Sequence, residues 1–266
     1  MTSQTHIHPT SVLSKEAQIA EGVEIGPFCN IIGRVKIDSG TKLISHVCIG
    51  SEFGIVEIGK NNVICAGTAL GGPPQDLKYK GEPTKLVIGD HNHIRELATI
   101  NIGTPGGGGL TRIGSHCLIM SYSHVAHDCR VGDHVVIANS SQLAGHVTLE
   151  DHVKVGGICA FNQFVVVGRY AMIAGDSAVN KDILPYTIAQ GKYAVMRATN
   201  RIGLERAGFS KEDIESINRA VRIFTKSSGT IEECLVRIKE ECAPSENLNH
   251  FIKAIEKPSG RGIARE

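Results

Sequence analysis

Ile113-Gly114-Ser115-His116-Cys117-Leu118-Ile119-Met120-Ser121-Tyr122-Ser123-His124-Val125-Ala126-His127-Asp128-Cys129-Arg130-Val131 places an aliphatic residue at every sixth position. Downstream the beat continues through Ile137, Leu143, Leu149, Val155, Phe161, Val167, Ile173 and Val179. Upstream it runs from Ile7 through Leu13, Ile19, Ile25, Ile31, Ile37 and Leu43 to Ile49, resumes at Ile58, Ile64 and Leu70, and again at Ile88, Ile94 and Ile100. A helix repeats every 3.6 residues and a half-buried strand every 2, so neither explains a period of six. Short strands wound round a triangular prism do. The expected fold is mainly β, a parallel β-helix of hexapeptide repeats in which three hexads close one coil. Residues 18 apart then stack, about 4.8 Å from coil to coil. Roughly nine coils between residue 7 and about residue 184 give a prism some 40 Å tall by that spacing.

Glycine follows the beat residue at Gly26, Gly50, Gly59, Gly71, Gly89, Gly114, Gly132, Gly156 and Gly168. A positive φ or a close backbone approach at a tight corner accounts for it. Four of the eight cysteines (Cys29, Cys117, Cys129, Cys159) occupy a slot otherwise filled by small or β-branched residues, and no Cys-x-x-Cys occurs. They read as small buried hydrophobes with free thiols.

Two segments leave the beat. Gly72-Pro73-Pro74-Gln75-Asp76-Leu77-Lys78-Tyr79-Lys80-Gly81 reads as an ejected loop, and Thr104-Pro105-Gly106-Gly107-Gly108-Gly109 as a flexible excursion without the context of a nucleotide P-loop. Insertions on a repeat scaffold are where binding sites collect. After Pro185 the beat gives way to helical spacing: Ser210 before Ile214, Ile217, Val221 and Phe224, then a capping box at Thr230-Ile231-Glu232-Glu233, then Leu248, Phe251, Ile252 and Ile255. The expectation is a β-helix domain over 1–190 and a small C-terminal α-helical domain over 191–266. Its three or four helices cover the edge of the last coil, and its tail from Pro258 is loose.

The formal net charge of +1, an aromatic content of 5% and the absence of tryptophan give nucleic acid no purchase. No apolar segment has the length of a membrane span, and the polar Met1-Thr2-Ser3-Gln4-Thr5-His6 has no signal-peptide core, so a cytoplasmic protein is expected.

Coil arithmetic singles out one constellation. Gly145 lies 18 residues after His127, Gln163 lies 18 further on, and His146 stacks over Asp128 in the same way. An imidazole base therefore sits beneath a backbone amide without a side chain, the two parts that acyl transfer to a hydroxyl requires. A solvated corner histidine and a zinc site are the competing readings. Hexad prisms also resemble γ-class carbonic anhydrases, which use three histidines, two of them five apart; here the spacings are three (His124, His127) and nineteen (His127, His146).

Ile25-Gly26-Pro27-Phe28-Cys29, Gln75-Asp76-Leu77-Lys78-Tyr79, Gly81-Glu82-Pro83-Thr84, His124-Val125-Ala126-His127-Asp128-Cys129, Leu143-Ala144-Gly145-His146-Val147, Ile188-Ala189-Gln190-Gly191 and Arg206-Ala207-Gly208-Phe209 resemble the acyl-[acyl-carrier-protein]–UDP-N-acetylglucosamine O-acyltransferases of lipid A synthesis. The resemblance implies a homotrimer of left-handed prisms, with active sites between neighbours and no cofactor or metal. It implies transfer of a 3-hydroxyacyl group from acyl-carrier protein to UDP-N-acetylglucosamine or its 3-amino analogue. By the same resemblance His127 is the general base, Asp128 orients it, and the Gly145 N–H is the oxyanion donor. Asp76, Lys78, His124, His146 and Gln163 fall on sugar-nucleotide contacts, Asn200 and Arg206 on phosphate or uridine contacts, and Gly175 on the position that limits acyl-chain reach. Asn101, Asn162 and Ala207 depart from the family, which carries histidine at the first two and arginine at the third. Arg169, Lys192, Arg197, Arg201 and Arg206 are candidates for docking an acidic carrier protein. An acetyl-CoA-dependent sugar O-acetyltransferase and a zinc hydratase are the alternatives.

Overall fold

The computed structural model describes residues 4–227 and 229–265; Met1, Thr2 and Ser3 of the polar N-terminus and Glu266 of the tail lie outside them. The beat residues become the inner lining of a parallel β-helix. Most strands are two residues long and end on a beat residue, and each pairs in parallel with the strand one coil away. On one face Ile119 pairs with Ile137, Ile137 with Val155 and Val155 with Ile173. On the second Val125, Leu143, Phe161 and Val179 stack, and on the third Ile113, Val131, Leu149 and Val167. All of these are buried, each contributing about 1.5–3 kcal/mol relative to exposure. Cys29, Cys117, Cys129 and Cys159 are buried among them with free thiols. Burial pushes the Cys129 thiol up to about 12. The inner positions of the first circuit are less covered than those above: Ile7 is exposed and Leu13 and Ile19 are half-buried.

Of the two reasons offered for the corner glycines, close approach holds at most of them. A Cβ at Gly26 would collide with the Ile44 carbonyl oxygen, and one at Gly114 with the backbone of Gly132. Only Gly50 and Gly71 of that set have a positive φ. The left-handed bend falls two residues later in the turn, on side-chain-bearing residues such as Asp128, His146 and Phe164, at φ 61°, 64° and 67°. Because these residues repeat every coil, their side chains stack in columns up each corner. His116, His134, His152 and Tyr170 form one such column, with ring centroids 4.9, 4.7 and 4.4 Å apart.

Three turns are lengthened, and all three lie between the second and third faces. The chain leaves that corner after Ile49, after Leu70 and after Ile100, and rejoins the third face at Ile58, Ile88 and Ile113. His127 sits at the same corner, one circuit beyond the last of these excursions.

Beyond the last coil an antiparallel hairpin, Thr187–Gly191 with Ala194–Thr199, pairs with Met172–Ile173. It was not expected from the sequence, and it spans the anticipated boundary between residues 190 and 191. Four helices follow: α1 (Arg201–Arg206), α2 (Lys211–Lys226), α3 (Ile231–Glu241) and α4 (Glu246–Glu256). Ser210 caps α2, and the capping box of α3 forms, each removing orphan amides at a helix start. The tail is not loose. Asp182 accepts from Ser259 N and Oγ, and Asp182 N donates to Gly262 O at 2.8 Å. Arg265 adds a 3.0 Å bond to Gly229 O and a second to Ser227 O. A polar side chain on the last coil thus finds its partners in the tail, a pairing that hydropathy alone does not register. Among the described residues no helix is long and apolar enough to cross a membrane.

Candidate active site

His127 and Asp128 are consecutive in one turn, yet their side chains meet because Asp128 adopts the left-handed conformation. The Thr111 hydroxyl holds that bend by accepting the Asp128 N–H at 2.8 Å. His127 Nδ1 lies 2.8 Å from Asp128 Oδ2, in a pair that is almost wholly buried. Thr104 grips the same carboxylate: its N–H donates to Oδ1 at 2.9 Å and its hydroxyl to Oδ2 at 2.6 Å. The last is in the range of a charge-assisted bond.

Thr104 is where the glycine-rich excursion does its work. The segment is a 3₁₀ turn, Pro105–Gly107, capped by Thr104, rather than an unstructured span. Gly107 is required there, since a Cβ would run into the Asp128 carboxyl. The sequence reading passed over Thr104. The signal was present: counting hexads puts both excursions at the corner of His127.

With Nδ1 committed to a carboxylate, His127 offers Nε2 outward. Gly145 lies directly on the ring; a Cβ there would be 2.5 Å from Cε1 and 2.7 Å from Nε2. Imidazole and amide are therefore on one side of the prism, as the coil arithmetic required. Among the described residues the Gly145 N–H has no acceptor. The next turns continue the column. His146 crosses His127 edge-on at 5.1 Å, and Phe164 stacks on His146 at 4.3 Å. Burial lowers the His146 pKa, against an opposing pull from the Asp128 and Asp76 carboxylates. Asp76, on the ejected loop, thus acts on this corner electrostatically. His124 is held by Thr99 Oγ1 at 2.7 Å, and burial, with the His127 charge, lowers its pKa.

The remaining candidates divide. Gln163 occupies the position one coil above Gly145, and its carbonyl accepts from Arg261. Lys78 lies on the loop with Asp76, whose Oδ1 accepts the Lys78 N–H at 2.9 Å. Asn200 and Arg206 are not brought to His127 within one chain. Asn200 caps α1 and donates to Tyr170 O at 2.9 Å, on the corner of the His116–Tyr170 column. Arg206 is exposed in the last turn of α1. Gly175 lies on the third corner, at the far edge of the face that leads to His127. Of the family departures, Asn101 is buried and donates to Pro73 O at 3.0 Å, bracing the root of the Asp76 loop.

The hexapeptide-repeat transferase model matches residues 110–145, across this corner, and the second-domain model of UDP N-acetylglucosamine O-acyltransferases matches residues 182–264. The acyl-[acyl-carrier-protein]–UDP-N-acetylglucosamine O-acyltransferase of Myxococcus xanthus is 46% identical over 97% of this chain and 99% of its own. The chain belongs to the acyl-[acyl-carrier-protein]–UDP-N-acetylglucosamine O-acyltransferase family. Solved structures agree. LpxA from Acinetobacter baumannii superposes with a TM-score of 0.92 at 42% identity, covering 97% of this chain and 99% of that one. The Arabidopsis UDP-N-acetylglucosamine acyltransferase does so with a TM-score of 0.84 at 32% identity, covering 97% and 99%. In this O-acyltransferase the β-helix and the helical end are both parts of the family architecture.

Proposed function

We propose that the chain transfers a 3-hydroxyacyl group from acyl-carrier protein to the 3-position of UDP-N-acetylglucosamine, the first acylation of lipid A synthesis. The contact of the His127 imidazole with Gly145 carries this reading, with Asp128 and Thr104 bonded behind the ring. His127 Nε2 removes the proton of the sugar 3-hydroxyl as its oxygen attacks the thioester carbonyl. The Gly145 N–H meets the oxyanion of the tetrahedral intermediate. Collapse expels the carrier's thiolate, which takes the proton back from His127. Asp128 holds the ring with Nε2 toward substrate, and Thr104 holds Asp128.

Asn200 and Arg206 stand on a different corner from the base, which supports a site shared between copies in a homotrimer, where a neighbour's α1 reaches the cleft. Mass spectrometry of the product from UDP-N-acetylglucosamine and acyl-carrier proteins of graded chain length tests the reaction. The 3-amino sugar and acetyl-CoA serve as the competing acceptor and donor. Absence of any acylated sugar nucleotide overturns the proposal.

One observation favours a second reading. His127, Asp128 and His146 each offer a ligating atom within 4.8 Å of the others, the one such group among the described residues. Against a zinc hydratase, both Asp128 oxygens already accept hydrogen bonds. Stoichiometric metal in purified protein, with loss of activity on chelation, would favour the hydratase.

A further inference from the structure

The column that begins at His127 does not end at Gln163. Lys181 occupies the next position up, 18 residues beyond Gln163, where the chain is about to leave the prism. It is exposed. At the same level the tail returns: Asp182 N donates to Gly262 O at 2.8 Å, and Ala264 N to Asp182 O at 2.8 Å. This bonding brings Lys181 and Arg261, the residues just before Asp182 and Gly262, to one step of the stack.

Arg261 is oriented there. Its Nε donates to Gln163 O at 2.7 Å, and its guanidinium carbon lies 6.0 Å over the Phe164 ring, itself stacked on His146. The anchor uses Nε and leaves the two terminal nitrogens as a fork. Among the described residues neither Lys181 nor Arg261 is in an ion pair. The adjacent Asp182 carboxylate is buried and bonded to Val166 N, Ser259 N and Ser259 Oγ.

We propose that Lys181 and Arg261 bind the phosphate groups of a substrate at the head of the catalytic column, and that these belong to the acceptor's diphosphate. This rests on the acyl-transfer reading of the site. A guanidinium fork with a flexible ammonium beside it matches the geometry and charge of phosphate oxygens. The spacing fits as well. Arg261 is anchored at Gln163, two strand steps or about 10 Å above the base; a hexose with its 3-hydroxyl at His127 spans roughly half of that distance and its 1-diphosphate the rest, with the flexible Lys181 side chain one step further up. A donor's phosphopantetheine phosphate has the same chemistry, so the two sources must be separated by measurement.

The test uses the full-length protein and Lys181→Gln, Arg261→Gln and the double variant. Steady-state KM is measured for UDP-N-acetylglucosamine and for acyl-carrier protein, and the affinity for UDP is compared with that for uridine. The expected result is an acceptor KM raised about 10- to 100-fold in the double variant, the loss typical of charged hydrogen bonds. The acyl-carrier-protein KM and kcat stay near wild type, UDP affinity falls in parallel, and uridine affinity does not change. If Arg261→Gln loosens the tail, seen as a lowered melting temperature, Lys181→Gln and Arg261→Lys carry the test. A rise confined to the acyl-carrier-protein KM overturns the assignment to the acceptor. Unchanged KM values for both substrates overturn the site. A wild-type protein that acylates no sugar nucleotide removes the proposed function instead, and the UDP-against-uridine comparison still reports on this pair.

Discussion

Gly145 lies so close to the His127 ring that a methyl group on its Cα would come within 2.5 Å of Cε1. The site has no room for any other residue there. Gly145→Ala should displace the imidazole and lower kcat by about 10²-fold, the order expected of a misplacement near 1 Å. The melting temperature should fall as well, since Gly145 and the His127–Asp128 pair are buried. Steady-state kinetics with thermal denaturation checks this; an alanine variant of normal kcat would detach Gly145 from the reaction.

Removing the proposed base should have a larger effect. His127→Ala should reduce turnover by about 10²- to 10⁴-fold, the usual contribution of a positioned proton acceptor, and leave the protein folded. Near-normal turnover in a folded variant removes His127 from the mechanism.

Thr104 is buried, and its hydroxyl bonds the carboxylate oxygen that also holds His127. Thr104→Val keeps the shape and removes that donor, so kcat should fall by about 10-fold or more, while Thr104→Ser restores most of it. The pH–rate profile separates positioning from folding: the acid limb should move in the valine variant and return in the serine one. An unmoved limb with a lowered melting temperature would reduce Thr104 to a structural role.

Gly175 is exposed, and a Cβ there would stand 3.3 Å from the Gly157 carbonyl oxygen, a contact that a small shift relieves. A longer side chain then projects outward from that corner. Gly175→Met should move the preferred acyl chain to a shorter length with the fold intact. An unchanged length distribution among products would place the limit elsewhere.

Burial holds the pKa of His124, His146 and His152 below the ordinary histidine value, which is near 6.5. Between the folded and unfolded pKa values the unfolded chain binds more protons than the folded one. Stability from these groups is therefore present above about pH 6.5 and lost as pH falls through the folded pKa values. Melting temperatures should decline on acidification from pH 7.5 to 5.5. Replacing His152 by Gln, away from the His127 corner, should reduce the slope.

The prism was legible because its core repeats: one aliphatic residue per hexad, stacked every 18, determines faces, register and the meeting of His127 with Gly145. What escaped was aperiodic. Thr104 reaches Asp128 from an excursion whose glycines read as slack, although the beat places it at the right corner. The hairpin 187–199 carries no hexad and is short enough to be mistaken for linker. The tail's attachment depends on Asp182 meeting Ser259, 77 residues away in sequence, a pairing no local pattern encodes. Asn200 and Arg206 reach the reading by family resemblance alone, since within one chain they face another corner.

Each circuit of the prism bonds only to the circuits above and below it, so loosening has to travel along the axis from an end. Among the described residues the N-terminal end is the barer, with Ile7 in water and Leu13 and Ile19 half covered, whereas the other is shut by the hairpin, the helices and the returning tail. Fraying should start at the bare end and reach His127 late, behind several intact turns. Amide exchange would then run as a front up the axis, and the working corner should stay armed while the first turns have already let go.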